Sequence, residues 1–338
     1  MALIAVAADK GAPGVTTACV ALAAVWPRPV LLAECDPAGG DLVYRLPAAG
    51  GGQLDPGRGL LSLAVAVRRG LGPDQAWEHT QKLRGGLDIL VGVVTAEQGA
   101  GLEPLWGPVG ATLAGLPEAD VIADCGRIGV DGPHYDLLAH ASVVVLITGP
   151  TLADVVRLRE RIEAVRAALA RRGRSPWVGV AVVAPHRRFH AALAEFGQVV
   201  GRNSSAVGVI GGLAHEPRSA ELLRGEWGGR LDRSLLIRTA RDLAGRLIAY
   251  LPVSVAADSP RARAPRARAA EHAPGSGALP LRANAESAAG SSGGPPPRAS
   301  TAERAGDSGG PPPRASTAER AAEGSRGSPP WASTARRR

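Results

Sequence analysis

The sequence has 338 residues, 45% of them hydrophobic, with only three cysteines and a formal net charge of +8. No uninterrupted apolar run reaches the roughly 18 residues that a membrane-spanning helix needs, so the composition excludes a membrane span. The cysteines, Cys19, Cys35 and Cys125, have unpaired spacing. That spacing argues against a disulfide framework and favours a reducing compartment.

Two regions of different composition divide the chain. Nearly all the long apolar runs lie in residues 1–253, a length that is ample for one large core. Residues 254–338 consist mainly of Ala, Arg, Pro, Gly and Ser, which cannot bury enough apolar surface to offset the entropy of ordering. We therefore expect a folded domain over residues 1–253 and a disordered tail over residues 254–338.

The tail carries most of the positive charge and an internal repeat. Thirteen arginines against seven acidic residues from Ala257 to Arg338 account for +6 of the net charge of +8. The segment Ser292–Ala305 recurs at Ser308–Ala321, sixteen residues later, and its proline triplets favour polyproline II. The arginines predict weak, salt-sensitive contact with nucleic acid or an anionic surface. A solvated linker and a repeated docking motif both stay open as interpretations of the tail.

The stretch from Asp9 to Thr17, Asp-Lys-Gly-Ala-Pro-Gly-Val-Thr-Thr, is the most informative part of the chain. The apolar run Ala2–Ala8 before it lacks the basic start and cleavage pattern of a secretion signal, and reads as a first buried strand. Together with the unpaired cysteines, this predicts a cytoplasmic protein. A helix-compatible run, Ala18–Trp26, follows. A strand, a glycine-containing turn and a helix form a phosphate-binding loop, because N–H groups and the helix dipole converge on one anion.

One position departs from the phosphate-loop pattern Gly-x-x-x-x-Gly-Lys-Thr. Val15 stands before Thr16, where that pattern has lysine. Lys10, one of only two lysines in an arginine-rich chain, lies in the same loop. A compact ammonium fits among crowded phosphates better than a planar guanidinium, so Lys10 is a candidate phosphate ligand.

Two later strands end in carboxylates. The apolar run Pro29–Ala33 leads into a turn that contains Asp36, and the strand Asp120–Asp124 ends in Asp124. Ligands of open α/β sheets bind at the C-terminal ends of strands, and a second acidic element orients the water shell of Mg²⁺. Asp36 has an alternative role as the cap of a turn before Pro37. A metal site formed by Cys35 and Cys125 is disfavoured, because no histidine is near them.

Strands and helices alternate through the rest of residues 1–253. Further strands are predicted at 87–93, 142–148, 178–184 and 206–210, and helices at 60–69, 73–83, 103–116, 151–172 and 231–251, with a short one from Glu216. We expect the helix 103–116 to be interrupted at Gly107-Pro108, and the charged face of helix 151–172, which includes Arg161, to be solvated. The alternation is typical of an α/β fold with a doubly wound, mostly parallel sheet of about seven strands and helices on both faces.

These motifs, in this order, resemble those of the MinD/ParA group of deviant Walker A ATPases (SIMIBI-class P-loop proteins) over roughly residues 1–250. The family loop Lys-Gly-Gly-x-Gly-Lys-Thr-Thr reads Lys10-Gly11-Ala12-Pro13-Gly14-Val15-Thr16-Thr17 here. The family's Asp-x-Asp-Pro-Gln-Gly turn is similar to Glu34–Gly39, and its Walker B strand to Asp120–Asp124. Thr148–Thr151 looks like its Thr-x-Pro-Thr segment, and His215–Arg218 like its late Pro-x-Asp-Pro segment.

The resemblance implies a role for each matched residue. Lys10 matches the lysine that reaches across an ATP-sandwiched homodimer, and Asp36 matches the carboxylate that orients water; these two are the candidate catalytic residues. Thr16, Asp36 and Asp124 would hold Mg²⁺. The nucleotide, ATP or ADP, would contact the loop and the late segment: Lys10, Gly11, Ala12, Pro13, Gly14, Val15, Thr16, Thr17, Glu216 and Pro217.

Several departures from the family pattern weaken the enzymatic part of this interpretation. Val15 removes the charge that bridges the β- and γ-phosphates, and losing one preorganised donor typically lowers a rate by about 10²–10³. Ala12 replaces a glycine, so its Cβ crowds the phosphates. After the strand at 178–184, Ala184–Arg187 stands where the family has an Asn-Arg-type base contact.

Three hypotheses follow from the sequence. The first is a bacterial MinD/ParA-like protein with a degenerate loop that binds nucleotide weakly or not at all, and acts through a homodimer or an unidentified protein partner in chromosome partitioning, positioning or regulation. The second is a slow Mg²⁺-dependent ATPase that uses Lys10 as its main phosphate lysine. The third is a scaffold that binds no nucleotide and recruits partners through its tail.

Overall fold

The fold is organised around one eight-stranded sheet, and most of its strands coincide with short apolar runs of the sequence. The computed structural model describes residues 1–9, 14–129, 132–200, 207–223 and 229–251. The strands are β1 (Leu3–Ala8), β2 (Val30–Glu34), β3 (Gln81–Lys82), β4 (Asp88–Leu90), β5 (Asp120–Arg127), β6 (Val143–Thr148), β7 (Trp177–Ala184) and β8 (Val207–Ala214). Their order across the sheet is β3-β4-β2-β5-β1-β6-β7-β8. All neighbouring strands are parallel except the antiparallel pair β3–β4.

The helices connect the parallel strands. They are α1 (Val15–Val25), α2 (Leu42–Arg45), α3 (Leu60–Arg68), α4 (Ala96–Gly101), α5 (Trp106–Ala114), α6 (His134–Leu138), α7 (Leu152–Arg171), α8 (Phe189–Val200), α9 (Pro217–Leu222), α10 (Gly229–Asp232) and α11 (Leu235–Ile248). Short 3₁₀ turns occupy Pro73–His79, Glu103–Leu105 and His186–Arg188.

The core consists of two apolar layers, one on each face of the sheet. Along β1, Leu3 and Ala5 face one layer while Ile4 and Val6 face the other, as the two-residue period of a strand requires. The first layer is completed by side chains from α3, α5, α6, α7 and α8. The second is completed mainly by α1 and α11. The predicted α/β class, with a mostly parallel sheet covered by helices on both faces, is therefore confirmed.

Two local predictions were wrong. The segment predicted as a helix over 73–83 is a 3₁₀ turn followed by β3, because Gln81 and Lys82 pair with β4 across the sheet. Long-range pairing there overrides the local helical pattern. Pro108 does not interrupt a helix, because it lies in the first turn of α5, where its missing N–H has no intrahelical partner to lose.

The charged face of α7 is only partly solvated. The side chain of Arg161 is 13% exposed and pairs at 2.6 Å with Asp9, the residue after β1, so it faces the fold rather than solvent. Conversely, two apolar residues of this helix, Leu152 and Val156, are exposed to solvent.

The tail predicted for residues 254–338 lies outside the described residues. Within the residues that the structure does describe, no helix is long and apolar enough to cross a bilayer.

Candidate nucleotide and magnesium site

The candidate site lies where the C-terminal ends of β1, β2 and β5 meet the start of α1. These three strands are adjacent in the sheet, with Glu34 and Val6 both in register with Asp124. Gly14 precedes α1 in the left-handed conformation (φ 71°, ψ 56°), which glycine adopts without strain. Its carbonyl accepts the first helical bond from Ala18 N–H at 2.9 Å. Lys10, Gly11, Ala12 and Pro13, all predicted nucleotide contacts, lie outside the described residues.

Asp124 and Thr16 form a buried polar pair between β5 and α1. Asp124 is 1% exposed, and its carboxylate is hydrogen-bonded to the side chain of Thr16. Its Oδ1 also accepts a hydrogen bond from the backbone N–H of Gly126 at 3.1 Å. Burial raises the pKa of Asp124 to about 6, an effect that both hydrogen bonds oppose. The site thus holds a carboxylate poorly compensated by its surroundings.

Asp36 approaches the same region from the end of β2. Its Oδ1 accepts from the N–H of Ala38 at 2.8 Å, so the turn-capping role that the sequence left open is present. Its Oδ2 faces β5, because a Cβ added at Gly126 would overlap that oxygen. Burial raises the pKa of Asp36, and the Ala38 N–H and the charge of Arg127 oppose this rise. Capping therefore occupies one carboxylate oxygen, while the other is directed toward the candidate site.

The donor set fits Mg²⁺ better than a soft metal. Two carboxylates and one hydroxyl are hard oxygen donors, and Mg²⁺ is usually bound through one or two carboxylates, water and substrate phosphates. Among the described residues, no group of three or more His, Cys, Asp or Glu side chains could hold a metal ion by itself. The three cysteines are buried free thiols.

A cavity of about 250 Å³ opens beside the start of α1, at the C-terminal ends of β7 and β8. Its apolar wall includes Val183, Leu213 and Leu236, and the side chain of Thr17 reaches it from α1. Concave apolar cavities with a few polar groups are the usual shape of a small-molecule site. The lining of this cavity suits a small, mostly apolar group.

Glu216 and Pro217, the predicted contacts of the late segment, line this cavity. Pro217 begins α9, and Glu216 Oε2 accepts a hydrogen bond from Leu236 N–H at 3.1 Å, in the first turn of α11. The N-terminal N–H groups of a helix have no intrahelical partner, so this carboxylate also stabilises α11. Thr151, in the segment that resembles Thr-x-Pro-Thr, has a purely local role: it caps α7 and exchanges hydrogen bonds with Asp154.

Comparison with solved structures identifies the fold. A ParA family ATPase from Chlorobium tepidum TLS is 16% identical, with 73% of this chain and 98% of that chain covered at a TM-score of 0.55. The cell division ATPase MinD from Pyrococcus furiosus is 17% identical, with 73% and 98% covered at 0.55. This chain has the MinD/ParA P-loop ATPase fold.

A third structure, MinD complexed with Mg-ADP from Pyrococcus horikoshii OT3, is 15% identical, with 73% of this chain and 95% of that chain covered at a TM-score of 0.51. At these identities the MinD/ParA likeness is one of fold alone. No protein-family model matches the chain, and no curated protein sequence does.

Val15 is the clearest departure within the MinD/ParA-like fold. It opens α1 and is only 5% exposed, packed in the apolar layer that contains Ala8 and Leu213. The valine thus fills apolar space between Gly14 and Thr16 in the chain, in the place where the phosphate-loop pattern has a charged lysine.

Sequence reasoning missed two features near the candidate site. Glu34 is 2% exposed and accepts hydrogen bonds from Leu42 N–H at 3.2 Å and Gly92 N–H at 2.9 Å, and burial raises its pKa to about 7. Asp9, the last described residue before the loop, pairs with Arg161 of α7, which also donates to the carbonyl of Gly129. The place of Glu34 at the end of an apolar strand could have predicted its role from the sequence. The pairing of Asp9 with Arg161 could not be predicted, because the two residues are far apart in the chain.

Proposed function

We propose that this protein binds a nucleotide, ATP or ADP, together with Mg²⁺, and acts through nucleotide-dependent contacts rather than through rapid hydrolysis. The observation that carries the proposal is the convergence of Thr16, Asp36 and Asp124 beside the start of α1. The structurally similar MinD from Pyrococcus horikoshii was solved with Mg-ADP, which supports the same class of ligand. The contacts would be with a second copy of the chain or with a protein partner, in a partitioning or positioning process in the bacterial cytoplasm.

The residues around the loop would divide the work of binding. The first N–H groups of α1 have no helical partners and would face the phosphates, where the helix dipole favours an anion. The Thr16 hydroxyl and the carboxylates of Asp36 and Asp124 would hold Mg²⁺, which neutralises phosphate charge when bound. The cavity beside Glu216 and Pro217 would take the base. Asp36 would also orient a water molecule through Oδ2, the carboxylate oxygen that does not cap the turn.

Weak catalysis follows from the residue at position 15. A buried valine there supplies no charge to the phosphates, and the loss of one preorganised donor typically lowers a rate by about 10²–10³. The chain would therefore retain binding and have little turnover, as a pseudo-ATPase. The second candidate is a slow ATPase that uses Lys10 and Asp36. The presence of the Asp36 and Asp124 carboxylates at the site favours it.

Hydrolysis and association measurements on the full chain separate these functions. We expect release of phosphate from MgATP to be indistinguishable from that of an Asp36→Ala variant, while MgATP changes the sedimentation coefficient or partner binding of the parent chain. Turnover that requires both Lys10 and Asp36 would favour the slow ATPase. A chain whose association is the same with and without MgATP would contradict the proposal.

The arginine-rich tail is a separate proposal. Its charge would give weak contact with nucleic acid or an anionic surface, and counterion release makes such contact steeply dependent on salt. We expect DNA binding of the full chain at low ionic strength to disappear on removal of residues 254–338. Retention of DNA by the shortened chain would move this contact to the folded domain.

A further inference from the structure

A bound polyphosphate needs a positive charge that faces it, and position 15, which holds lysine in the phosphate-loop pattern, does not supply one here. Val15 is buried among apolar side chains. We propose that Arg127, the last residue of β5, is a phosphate-binding cation of this site. This inference rests on the proposed nucleotide binding and names one residue that would contact the phosphates.

A bulge in β5 brings Arg127 to the right face of the sheet. β1 and β5 are paired with Val6 opposite Asp124 and Ala8 opposite Arg127, so two steps along β1 match three steps along β5. Side chains alternate along a strand, and a one-residue slip moves a side chain to the other face. The extra residue therefore places Arg127 on the face of Asp124 and α1, whereas an unbroken register would place it on the opposite face.

Gly126 makes this arrangement possible. It has a φ of +57°, and a Cβ at this position would overlap the carboxylate of Asp36. Only glycine satisfies both the left-handed backbone and the close approach of Asp36. Bulges next to active sites commonly redirect a side chain in this way. The turn thus brings the carboxylate of Asp36 and the following Arg127 to one place.

Arg127 lies beside the C-terminal end of β1. Its Cα partner, Ala8, is the last residue of β1, and the next backbone bond of the ladder joins Ile128 N–H to the Ala8 carbonyl at 2.9 Å. Asp9 follows Ala8 and leads into the loop. The backbone of Arg127 is therefore fixed next to the residue of β1 that precedes Asp9 in the chain.

Arg127 forms no close ion pair within the part of the chain that the structure describes, although its charge acts on Asp36 at longer range. Its side chain is exposed, and no carboxylate there lies within 4 Å of it. Arg161, by contrast, is held by Asp9 at 2.6 Å and by the Gly129 carbonyl. Its donors are used inside the fold, so Arg161 is not an equivalent source of charge. An exposed, planar guanidinium without a close ion-pair partner can bind two phosphate oxygens at once.

The test measures binding of ATP, ADP and AMP, each with Mg²⁺, to the full chain by calorimetry. The variants are Arg127→Ala, Arg127→Lys and the control Arg171→Ala, which makes the same charge change at the exposed end of α7, remote from the loop. We expect Arg127→Ala to weaken ATP binding by roughly 10- to 100-fold, since a hydrogen bond to a charged group contributes about that factor. Arg127→Lys should keep part of the affinity, and Arg171→Ala should bind like the parent.

The ligand series separates direct contact from an indirect effect. The loss caused by Arg127→Ala should be largest for ATP, smaller for ADP and smallest for AMP, while the melting temperature without ligand stays that of the parent. A variant that binds ATP as tightly as the parent, or loses the same factor for all three ligands, would overturn the assignment of Arg127 and leave nucleotide binding intact. A parent chain that binds none of the three would overturn both.

Discussion

His134 is a buried side chain whose polar atoms have no compensation. It is 4% exposed at the start of α6, stacks on Tyr135 with ring centroids 5.4 Å apart, and neither ring nitrogen has a hydrogen-bond partner among the described residues. Burial lowers the pKa of His134 to about 4. An unsatisfied buried polar group typically reduces stability by about 1–3 kcal/mol.

We therefore expect His134→Phe to raise the free energy of unfolding by about 1–3 kcal/mol at neutral pH. The lowered pKa of His134 also determines how the free energy of unfolding changes with pH. The pKa is about 6.5 in the unfolded chain and lower in the folded one, so the unfolded state binds the proton first. The parent should lose stability as pH falls from about 6.5 to 4, and His134→Phe should lose less. Denaturant titrations at pH 7 and pH 5 measure both effects, and equal pH profiles would contradict this account.

Val15 gives a second prediction at the scale of one residue. Val15→Lys places an ammonium in an apolar layer where the valine is 5% exposed. Without nucleotide, we expect its free energy of unfolding to fall by about 1–3 kcal/mol, because the ammonium is desolvated. Adding MgATP should stabilise Val15→Lys more than it stabilises the parent, since the new charge then gains phosphate partners.

The control for this variant is Val15→Met, which lengthens the side chain without adding charge. Thermal unfolding with and without MgATP provides the comparison. If Val15→Met gains as much from MgATP as Val15→Lys does, the effect arises from side-chain length and the charge argument fails.

At the scale of elements, β5 carries two buried carboxylates with opposite roles. At its start, Asp120 is 0% exposed and accepts from Ala2 N–H and Trp26 Nε1, each at 2.9 Å. Its Oδ2 also lies 2.7 Å from Arg28 Nε; no well-formed hydrogen bond joins these atoms, so the contact is ionic. At the other end of the strand, Asp124 faces the candidate site with a pKa of about 6. The first carboxylate stabilises the fold, and the second opposes it when ionised.

Matched substitutions should separate the two ends of β5. Asp120→Asn should reduce the free energy of unfolding by about 1–3 kcal/mol and leave nucleotide affinity unchanged. Asp124 keeps its proton to higher pH in the folded chain, so stability falls as pH rises through about 4 to 6. At pH 8, Asp124→Asn should therefore stabilise the unliganded chain by roughly 1–3 kcal/mol and abolish Mg²⁺-dependent binding. Loss of stability in both variants would contradict the assignment.

Helix α4 supports the turn that carries Asp36. Gly99 packs so closely on this turn that an added Cβ would overlap the carbonyl oxygen of Pro37, whereas Gly101 in the same helix has open space around it. We expect Gly99→Ala to lower the free energy of unfolding by about 1–3 kcal/mol through overpacking and to weaken nucleotide binding. Gly101→Ala should be neutral or stabilising by up to about 1 kcal/mol. Equal effects of the two variants in denaturant titrations would exclude the proposed contact.

The same elements show what the sequence could predict. The strands β1, β6 and β7 are nearly continuous apolar runs, and β2 and β5 contain shorter apolar runs that end in a carboxylate, which is the local signal of a parallel sheet covered on both faces. Carboxylates at the ends of two such strands could be placed at one sheet edge from the residue pattern alone. The strand β3 could not be predicted, because it is defined by pairing with β4 rather than by its own residues. The bulge that redirects Arg127 is equally invisible, since it depends on register with β1.

At the scale of the molecule, the sheet separates structural and candidate functional groups by strand end. The Asp120 network lies at the N-terminal end of β5, whereas Asp124, Asp36 and the start of α1 lie at the C-terminal ends of their strands. The cavity at the ends of β7 and β8 is on the same side of the sheet. This polarity is general for open α/β sheets, where ligands bind outside the carboxyl ends of the strands. It makes the start of α1, the carboxylates and the cavity parts of one candidate site.

The central claim is that this site binds a magnesium–nucleotide complex although Val15 replaces the lysine. Calorimetric titration of MgATP into the full chain at pH 8, repeated with EDTA and with Asp124→Asn, tests it most directly. We predict saturable binding by the parent that is lost in both controls. No binding by a folded parent chain, or binding of equal strength in Asp124→Asn, would contradict the claim.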